Sequence, residues 1–190
     1  MAEVLLFHHA QGLTPGVVAL ADVLRAAGNT VHTPDLYDGH TFDVLDDGLA
    51  YAGGVGFEEL MKLGVRAAAE LPEALVYIGF SLGVMPAQNL AQTRPGARGA
   101  VFMGSCLPAG EFGGWPPEVP VRIHGMAADP IFTGEGDLEA ARELVSSAPD
   151  AELFLYPGDR HLFVGRSLPD YDPDATELLL DRTVRFLREV

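Results

Sequence analysis

Cysteine is almost missing from this chain: Cys106 is the only one in 190 residues. No intramolecular disulfide can form, and the composition suits a reducing compartment, which makes the cytoplasm the expected location. Positive charge is scarce as well. Lys and Arg number 12 against 27 Asp and Glu, a formal charge of -15, and the resulting field repels phosphate backbones and anionic membrane surfaces. Nucleic acid and membranes are therefore excluded as expected partners. The total charge does not by itself select a cationic substrate, because acidic side chains spread over a solvated surface give the same sum. No apolar run approaches the roughly 18 residues of a membrane span, and the opening MAEVLLFHHA reads as a first strand rather than a basic leader. Neither a fixed-period repeat nor a Gly/Ser linker divides the chain, so residues 1–190 are expected to form one domain around one core.

What is present alternates. Strand-like runs at about 3–8, 29–33, 74–79, 98–103, 120–124 and 151–156 are separated mostly by segments with helical spacing, the pattern of a mostly parallel sheet with helices on both faces. Thr14 as cap, Pro15 in the first turn and Gly28 as terminator frame a helix over about 15–27. Phe57, Leu60, Met61, Val65, Ala68 and Leu71 recur every three or four positions and make a second apolar stripe. A third helix should begin just after Ser81, a fourth should span about 137–147, and a last one, capped by Asp172 and opened by Pro173, about 173–189. The stretches 34–56 and 104–119 are rich in Gly, Pro and Asp without steady periodicity and are expected to be loops at the ends of the sheet.

One of these junctions carries chemistry. In VYIGFSLGVM the segment Gly79-Phe80-Ser81-Leu82-Gly83 matches G-x-S-x-G, following a predicted strand and preceding a predicted helix, which is the setting a nucleophile elbow requires. Such a turn strains the serine backbone and lifts its hydroxyl above the sheet, while flanking glycines leave room for neighbouring chain. A serine hydroxyl needs an imidazole to take its proton and a carboxylate to fix that imidazole's tautomer, in the chain order Ser, acid, His. His161, in YPGDRHLF beyond the last strand, is the candidate base. Asp129, in IHGMAADP beyond the preceding strand, is the candidate acid. Asp159 is placed second, because two residues of separation from His161 make a well-aimed contact hard to arrange. The backbone N–H groups of Leu82 and Ala10 are the candidate oxyanion donors.

The remaining histidines suggest no metal. His8 and His9 are adjacent in a strand and diverge, and His32, His40 and His124 lack ligand spacing. His9 is expected at the rim of the site, and with Gln11 and the aromatic Trp115 of the second loop it is a candidate pocket residue. HHAQGLTPG lacks the G-x-G-x-x-G turn of a dinucleotide fold, and no cofactor is expected.

Taken together these segments resemble the dienelactone hydrolase family of the α/β-hydrolase fold over nearly the whole chain. HHAQGLTPG sits where the family has its oxyanion loop, TPDLYDG is similar to its PDLY segment, GFSLGV occupies the elbow, GMAADP the acid loop and GDRHLFVGR the histidine loop. The resemblance implies an α/β-hydrolase fold with no large lid domain and a triad of Ser81, Asp129 and His161. Two departures bear on the substrate. Ser81 stands where dienelactone hydrolases proper use the cysteine of GYCLGG, and His9 stands where a glutamate of the oxyanion loop holds that cysteine. Arg166, a further candidate pocket residue, follows His161 one position later than the family's carboxylate-gripping arginine. The expected activity is hydrolysis of ester-like bonds in small soluble esters or lactones through an acyl-enzyme on Ser81. The alternatives are a catalytically silent binding module on the same scaffold and an acyltransferase using the same triad.

Overall fold

The computed structural model describes residues 1–190. Six strands, β1 (Glu3–Phe7), β2 (Thr30–His32), β3 (Val76–Phe80), β4 (Gly99–Met103), β5 (Val121–Met126) and β6 (Ala151–Tyr156), form one sheet in the order β2-β1-β3-β4-β5-β6. Every neighbouring pair is parallel. Seven α-helices surround it: α1 (Pro15–Ala26), α2 (Leu45–Val55), α3 (Phe57–Ala67), α4 (Val84–Thr93), α5 (Pro130–Gly134), α6 (Asp137–Ser147) and α7 (Pro173–Glu189). This is the α/β-hydrolase architecture anticipated above, with no large extra domain.

The period-two alternation of the strands divides the core into two layers. Val4 and Leu6 of β1, Val76 and Ile78 of β3, and Val101 and Met103 of β4 pack with Val17, Leu20 and Leu24 of α1 and with Leu179, Phe186 and Leu187 of α7. Their alternates, Leu5, Phe7, Tyr77, Ala100 and Phe102, pack on the other face against Leu60 of α3, Val84, Ala87 and Leu90 of α4, and Leu138 and Leu144 of α6. Because both faces are covered, β3 and β4 are buried along their whole length and read as continuous apolar runs. Each fully buried Leu, Val or Phe side chain contributes about 1.5 to 3 kcal/mol relative to exposure.

Local signals place most helix ends. Asp172 accepts a hydrogen bond from Ala175 N at 3.0 Å, as an N-cap should. Gly28 lies in the left-handed region at φ 96° just past α1, where a side chain is disfavoured. Thr14 behaves differently from expectation: its hydroxyl makes no cap bond to α1 but pairs with the His9 ring. The stretch 34–56 also departs from the expected loop, because residues 45–55 are helical. Asp46 and Asp47 suit the first turn of α2 electrostatically, and Gly48, which suggests a break in the sequence, is a packing position. A Cβ there would collide with the carbonyl oxygen of Ala10.

The strand order fixes where a site can form. β1 lies between β2 and β3, so the chain leaves β1 to one side and β3 to the other, opening a crevice at their carboxyl ends. Phe7 is in register with Gly79, Phe80 with Met103, Met103 with His124, and Met126 with Tyr156. The segments following five parallel strands therefore emerge along one rim.

Three histidines are fully buried: His8, His9 and His124. Burial lowers the pKa of each, to about 3 for His9 and His124; Arg182 and Arg122 act on His124 in the same sense as burial. All three stay neutral in the fold but take up protons in the unfolded chain below the ordinary value of 6.5. Stability that is complete above that pH therefore declines as pH falls, toward 3 for His9 and His124, each contributing about 1 kcal/mol of the loss at pH 5.5, with His8 acting in the same direction. Urea unfolding at pH 7.5 and 5.5 should show a marked fall in stability that is smaller in His124→Phe protein, whereas equal stability at the two pH values would contradict this account.

Candidate active site

Ser81 is held in the left-handed region at φ 51°, a conformation costing a residue with a side chain about 1 to 3 kcal/mol. The two glycines of the motif make it possible. A Cβ on Gly79 would strike the backbone of Val84 and Gly83, and one on Gly83 would lie 2.5 Å from Phe7 O and 2.6 Å from His8 O. The chain thus passes from β3 through one 3-10 turn, Ser81–Gly83, directly into α4. This abrupt turn presents the Ser81 hydroxyl at the rim.

The segment after β6 brings His161 to the hydroxyl, with Nε2 2.7 Å from Ser81 Oγ. On the far side of the ring, Nδ1 lies 2.7 Å from Asp129 Oδ2. Asp129 is fully buried and caps α5, its Oδ1 accepting from Ile131 N at 2.9 Å. Both carboxylate oxygens are consequently in use, and their direction is fixed by the helix. An ionised carboxylate only accepts, so the proton of a neutral imidazole belongs on Nδ1 and the lone pair on Nε2 faces the serine hydroxyl. Asp159 is exposed and makes no bond to the ring. Gly104, after β4, closes against His161, since a Cβ there would lie 3.3 Å from its carbonyl oxygen and 3.4 Å from Cε1.

The loop after β1 packs beside this chain of groups. Ala10 is fully buried, and its N–H donates to no other group of the protein. His9 is also fully buried rather than at the rim. Its Nδ1 accepts from Gln11 N at 3.2 Å, its Nε2 lies 3.3 Å from Thr14 Oγ1, and its ring stands edge-on to Phe80 at 4.9 Å. With Gly12 N donating to His9 O at 3.0 Å, the ring fixes the loop from beneath. His8 is equally committed, its Nδ1 donating to His9 O and its Nε2 accepting from Leu36 N.

A cavity of about 240 Å³ opens above Ser81 and His161. Leu45 and Leu49 of α2, Phe57 of α3, Leu82, Met85, Leu107 and Ile131 supply its apolar lining, and Gly104, Ser105, Glu135 and Asp137 complete it. None of the four pocket residues expected from sequence lines it. His9 lies below the loop. Gln11 is buried, its side-chain amide donating to Phe42 O at 2.9 Å. Trp115 folds inward, donating to Val119 O and standing edge-on to Phe102. Arg166 is exposed, with its guanidinium 6.0 Å from the Tyr171 ring. The wall residues of α2 were hidden by reading 34–56 as loop; the apolar Leu45 and Leu49, four apart, were the available signal. Cys106 is a packed thiol, pushed up to about 12 by burial and further by the Asp137 carboxylate. No group of three or more His, Cys, Asp or Glu side chains is placed to hold a metal ion.

The dienelactone hydrolase family model matches residues 1–190 of the sequence. The chain belongs to the dienelactone hydrolase family. It is accordingly a carboxylic ester hydrolase by family. Among solved structures, a dienelactone hydrolase-like promiscuous phosphotriesterase from metagenomic libraries is similar over 100% of this chain and 86% of its own, at 20% identity and a TM-score of 0.75. The monoacylglycerol lipase of Paleococcus ferrophilus is similar over 97% and 93%, at 19% identity and a TM-score of 0.66. A cold-adapted esterase from an Arctic intertidal metagenomic library is similar over 97% and 82%, at 18% identity and a TM-score of 0.66. At these identities the likeness is one of fold. No protein matches in a search of curated sequences.

In this family member His9→Ala would leave the Gln11 N–H and the Thr14 hydroxyl unpartnered beneath the loop and open a void against Phe80. The expected cost is about 2 to 4 kcal/mol, read as a lowered urea midpoint; a midpoint within error of wild type would remove the supporting role assigned to the ring.

Proposed function

We propose that the protein hydrolyses small esters or lactones through an acyl-enzyme on Ser81. The observation that carries this reading is the continuous hydrogen-bonded chain from Ser81 Oγ through His161 to Asp129 Oδ2 at the floor of the cavity. As Oγ attacks the ester carbonyl carbon, its proton passes to His161 Nε2. Asp129 holds the ring in the tautomer that can accept this proton and stabilises the imidazolium that results. The carbonyl oxygen gains negative charge and is met by the N–H groups of Leu82 and Ala10. His161 then returns the proton to the departing alkoxide, and a water molecule, deprotonated in the same way, releases the acid and restores the serine.

The preformed distances support catalysis over a silent binding module, since no side chain has to move to connect the three groups. The apolar lining from α2 and α3 suits short or medium acyl or alkyl groups, in keeping with about 240 Å³ of space. Water is the expected acceptor because the cavity is open toward solvent and its rim residues Leu49 and Phe57 are 39% and 49% exposed.

A fluorophosphonate probe should label the wild type at Ser81 and leave Ser81→Ala unlabelled; equal labelling of both would overturn the nucleophile assignment. Asp129→Asn should reduce kcat by about ten-thousandfold with little change in the fold, because an amide donor facing Nδ1 favours the wrong tautomer. Unchanged turnover of p-nitrophenyl butyrate would remove Asp129 from the mechanism.

The packing of α2 yields an independent test of the oxyanion donors. In Gly48→Ala the new Cβ overlaps Ala10 O, so α2 and the Ala10 backbone must move apart, and the variant displaces the Ala10 N–H to the extent that the loop yields. Loss of one oxyanion donor costs about a hundredfold to a thousandfold in turnover, so kcat should fall far more than KM changes. A variant that folds normally and retains wild-type kcat would exclude Ala10 N–H as a donor.

A further inference from the structure

We propose that the cavity selects esters bearing an alkylammonium group, with Asp137 and Glu135 as the specificity-determining residues. This inference rests on Ser81 being the nucleophile. The cavity has two unlike walls: Leu45, Leu49, Phe57 and Met85 on one side, and Ser105, Glu135 and Asp137 contributed by the segments following β4 and β5. No Lys or Arg lines it, and His161 is its only basic residue.

Asp137 is anchored rather than merely solvated. Ser105 Oγ donates to its Oδ1 at 2.5 Å and Cys106 N donates to the same oxygen at 2.8 Å. Oδ2 receives no hydrogen bond from the chain, so the carboxylate is oriented through one oxygen with the other unspent. Glu135 lies two residues away, at the end of α5, and makes neither an ion pair nor a side-chain hydrogen bond. Glu135 is exposed at the mouth and Asp137 is half-buried; a half-buried carboxylate on a concave, partly apolar wall attracts a cation more strongly than the same charge on an open surface, because less water intervenes. An anionic substrate entering the cavity would face both carboxylates with no guanidinium to offset them, and the overall charge of -15 acts in the same direction. Arg166, the one sequence candidate for gripping a substrate carboxylate, is exposed beside Tyr171. An ammonium group on the acyl side and one on the alcohol side present the same chemistry to this wall.

Two matched pairs of esters distinguish these sources, each pair differing only in a quaternary nitrogen replaced by carbon. Butyrylcholine and 3,3-dimethylbutyl butyrate carry the group on the alcohol; ethyl 4-(trimethylammonio)butyrate and ethyl 5,5-dimethylhexanoate carry it on the acyl chain. In pH-stat assays of the wild type, kcat/KM should favour the cationic member of at least one pair by about tenfold, and 2-sulfoethyl butyrate should be the poorest substrate. In protein carrying both Glu135→Gln and Asp137→Asn the ratio should narrow to within about twofold. Glu135→Gln alone, where the side chain makes no hydrogen bond or ion pair, should narrow it partially and serves if the double variant does not fold. Equal or reversed preference in both pairs, or a ratio unchanged in every variant, would overturn the proposal. Calorimetric binding of the same compounds to Ser81→Ala protein separates the two levels. Cation preference there without turnover by the wild type would sink the nucleophile and keep the charge selection, whereas hydrolysis of both members at equal rates would do the reverse.

Discussion

A serine forced to a positive φ is the constraint on which the rest of this structure depends. Without it, β3 would not turn into α4 within three residues, and the hydroxyl would lie along the sheet instead of above it. The strain of about 1 to 3 kcal/mol is offset by burial on both sides. Val84 and Ala87 of α4 and Val76 and Ile78 of β3 are fully or almost fully enclosed, and they hold the two arms of the turn in place. Gly79 and Gly83 are needed because backbone, not flexible side chain, occupies the space their Cβ atoms would fill. The motif is therefore a packing solution first and a chemical one second.

The elbow locates the hydroxyl, but convergence comes from the sheet. Parallel strands point the same way, so the segments after β1, β3, β4, β5 and β6 share one rim whatever their sequences. Each then uses that position differently. The first lays down the Ala10 backbone, the second the serine, the third Gly104 against the His161 ring, the fourth a carboxylate locked by a helix cap, and the fifth the imidazole. Asp129 illustrates how rigidity is obtained with few residues: one oxygen is fixed by the first turn of α5, which leaves the other aimed at His161. His9 does similar work below the loop after β1, where its low pKa keeps it neutral and its two ring nitrogens hold Gln11 N and the Thr14 hydroxyl.

The same rim explains why a pocket with opposite characters on its two walls arises without a separate lid domain. Helix α2 approaches closely enough to supply Leu45 and Leu49 only because Gly48 rests on the Ala10 backbone. Across the cavity, Asp137 is drawn in by the Ser105 hydroxyl and the Cys106 N–H. One helix therefore both rests on the loop after β1 and forms the apolar wall of the cavity. The facing wall carries the carboxylates of Glu135 and Asp137.

Much of this was legible in the sequence for identifiable reasons. Short strand-like apolar runs between helical segments gave six strands at nearly their observed limits. The caps Pro15, Gly28, Asp172 and Pro173 placed α1 and α7, and G-x-S-x-G between a strand and a helix located the elbow, because these are local constraints acting within a few residues. The chain order Ser, acid, His and the position of each residue just beyond a strand then pointed to Asp129 and His161 at the rim with Ser81. Tertiary packing decided the rest. Whether Gly48 breaks a helix or lets one dock depends on a carbonyl thirty-eight residues earlier in the chain, at Ala10. Whether His9 reaches the rim depends on Thr14 and Gln11 having no other partner for their hydroxyl and N–H. Trp115 and Arg166 have side chains that suit a pocket, yet Val119 and Tyr171 lie nearer to them than the cavity does. Likewise a charge of -15 says nothing of where carboxylates gather, and only the fold sets two of them beside the serine. Local patterns determined the elements and singled out Ser81, Asp129 and His161, which the fold joins by hydrogen bonds, whereas the walls of the cavity were decided by long-range contacts, since a side chain's final direction depends on neighbours the sequence does not name.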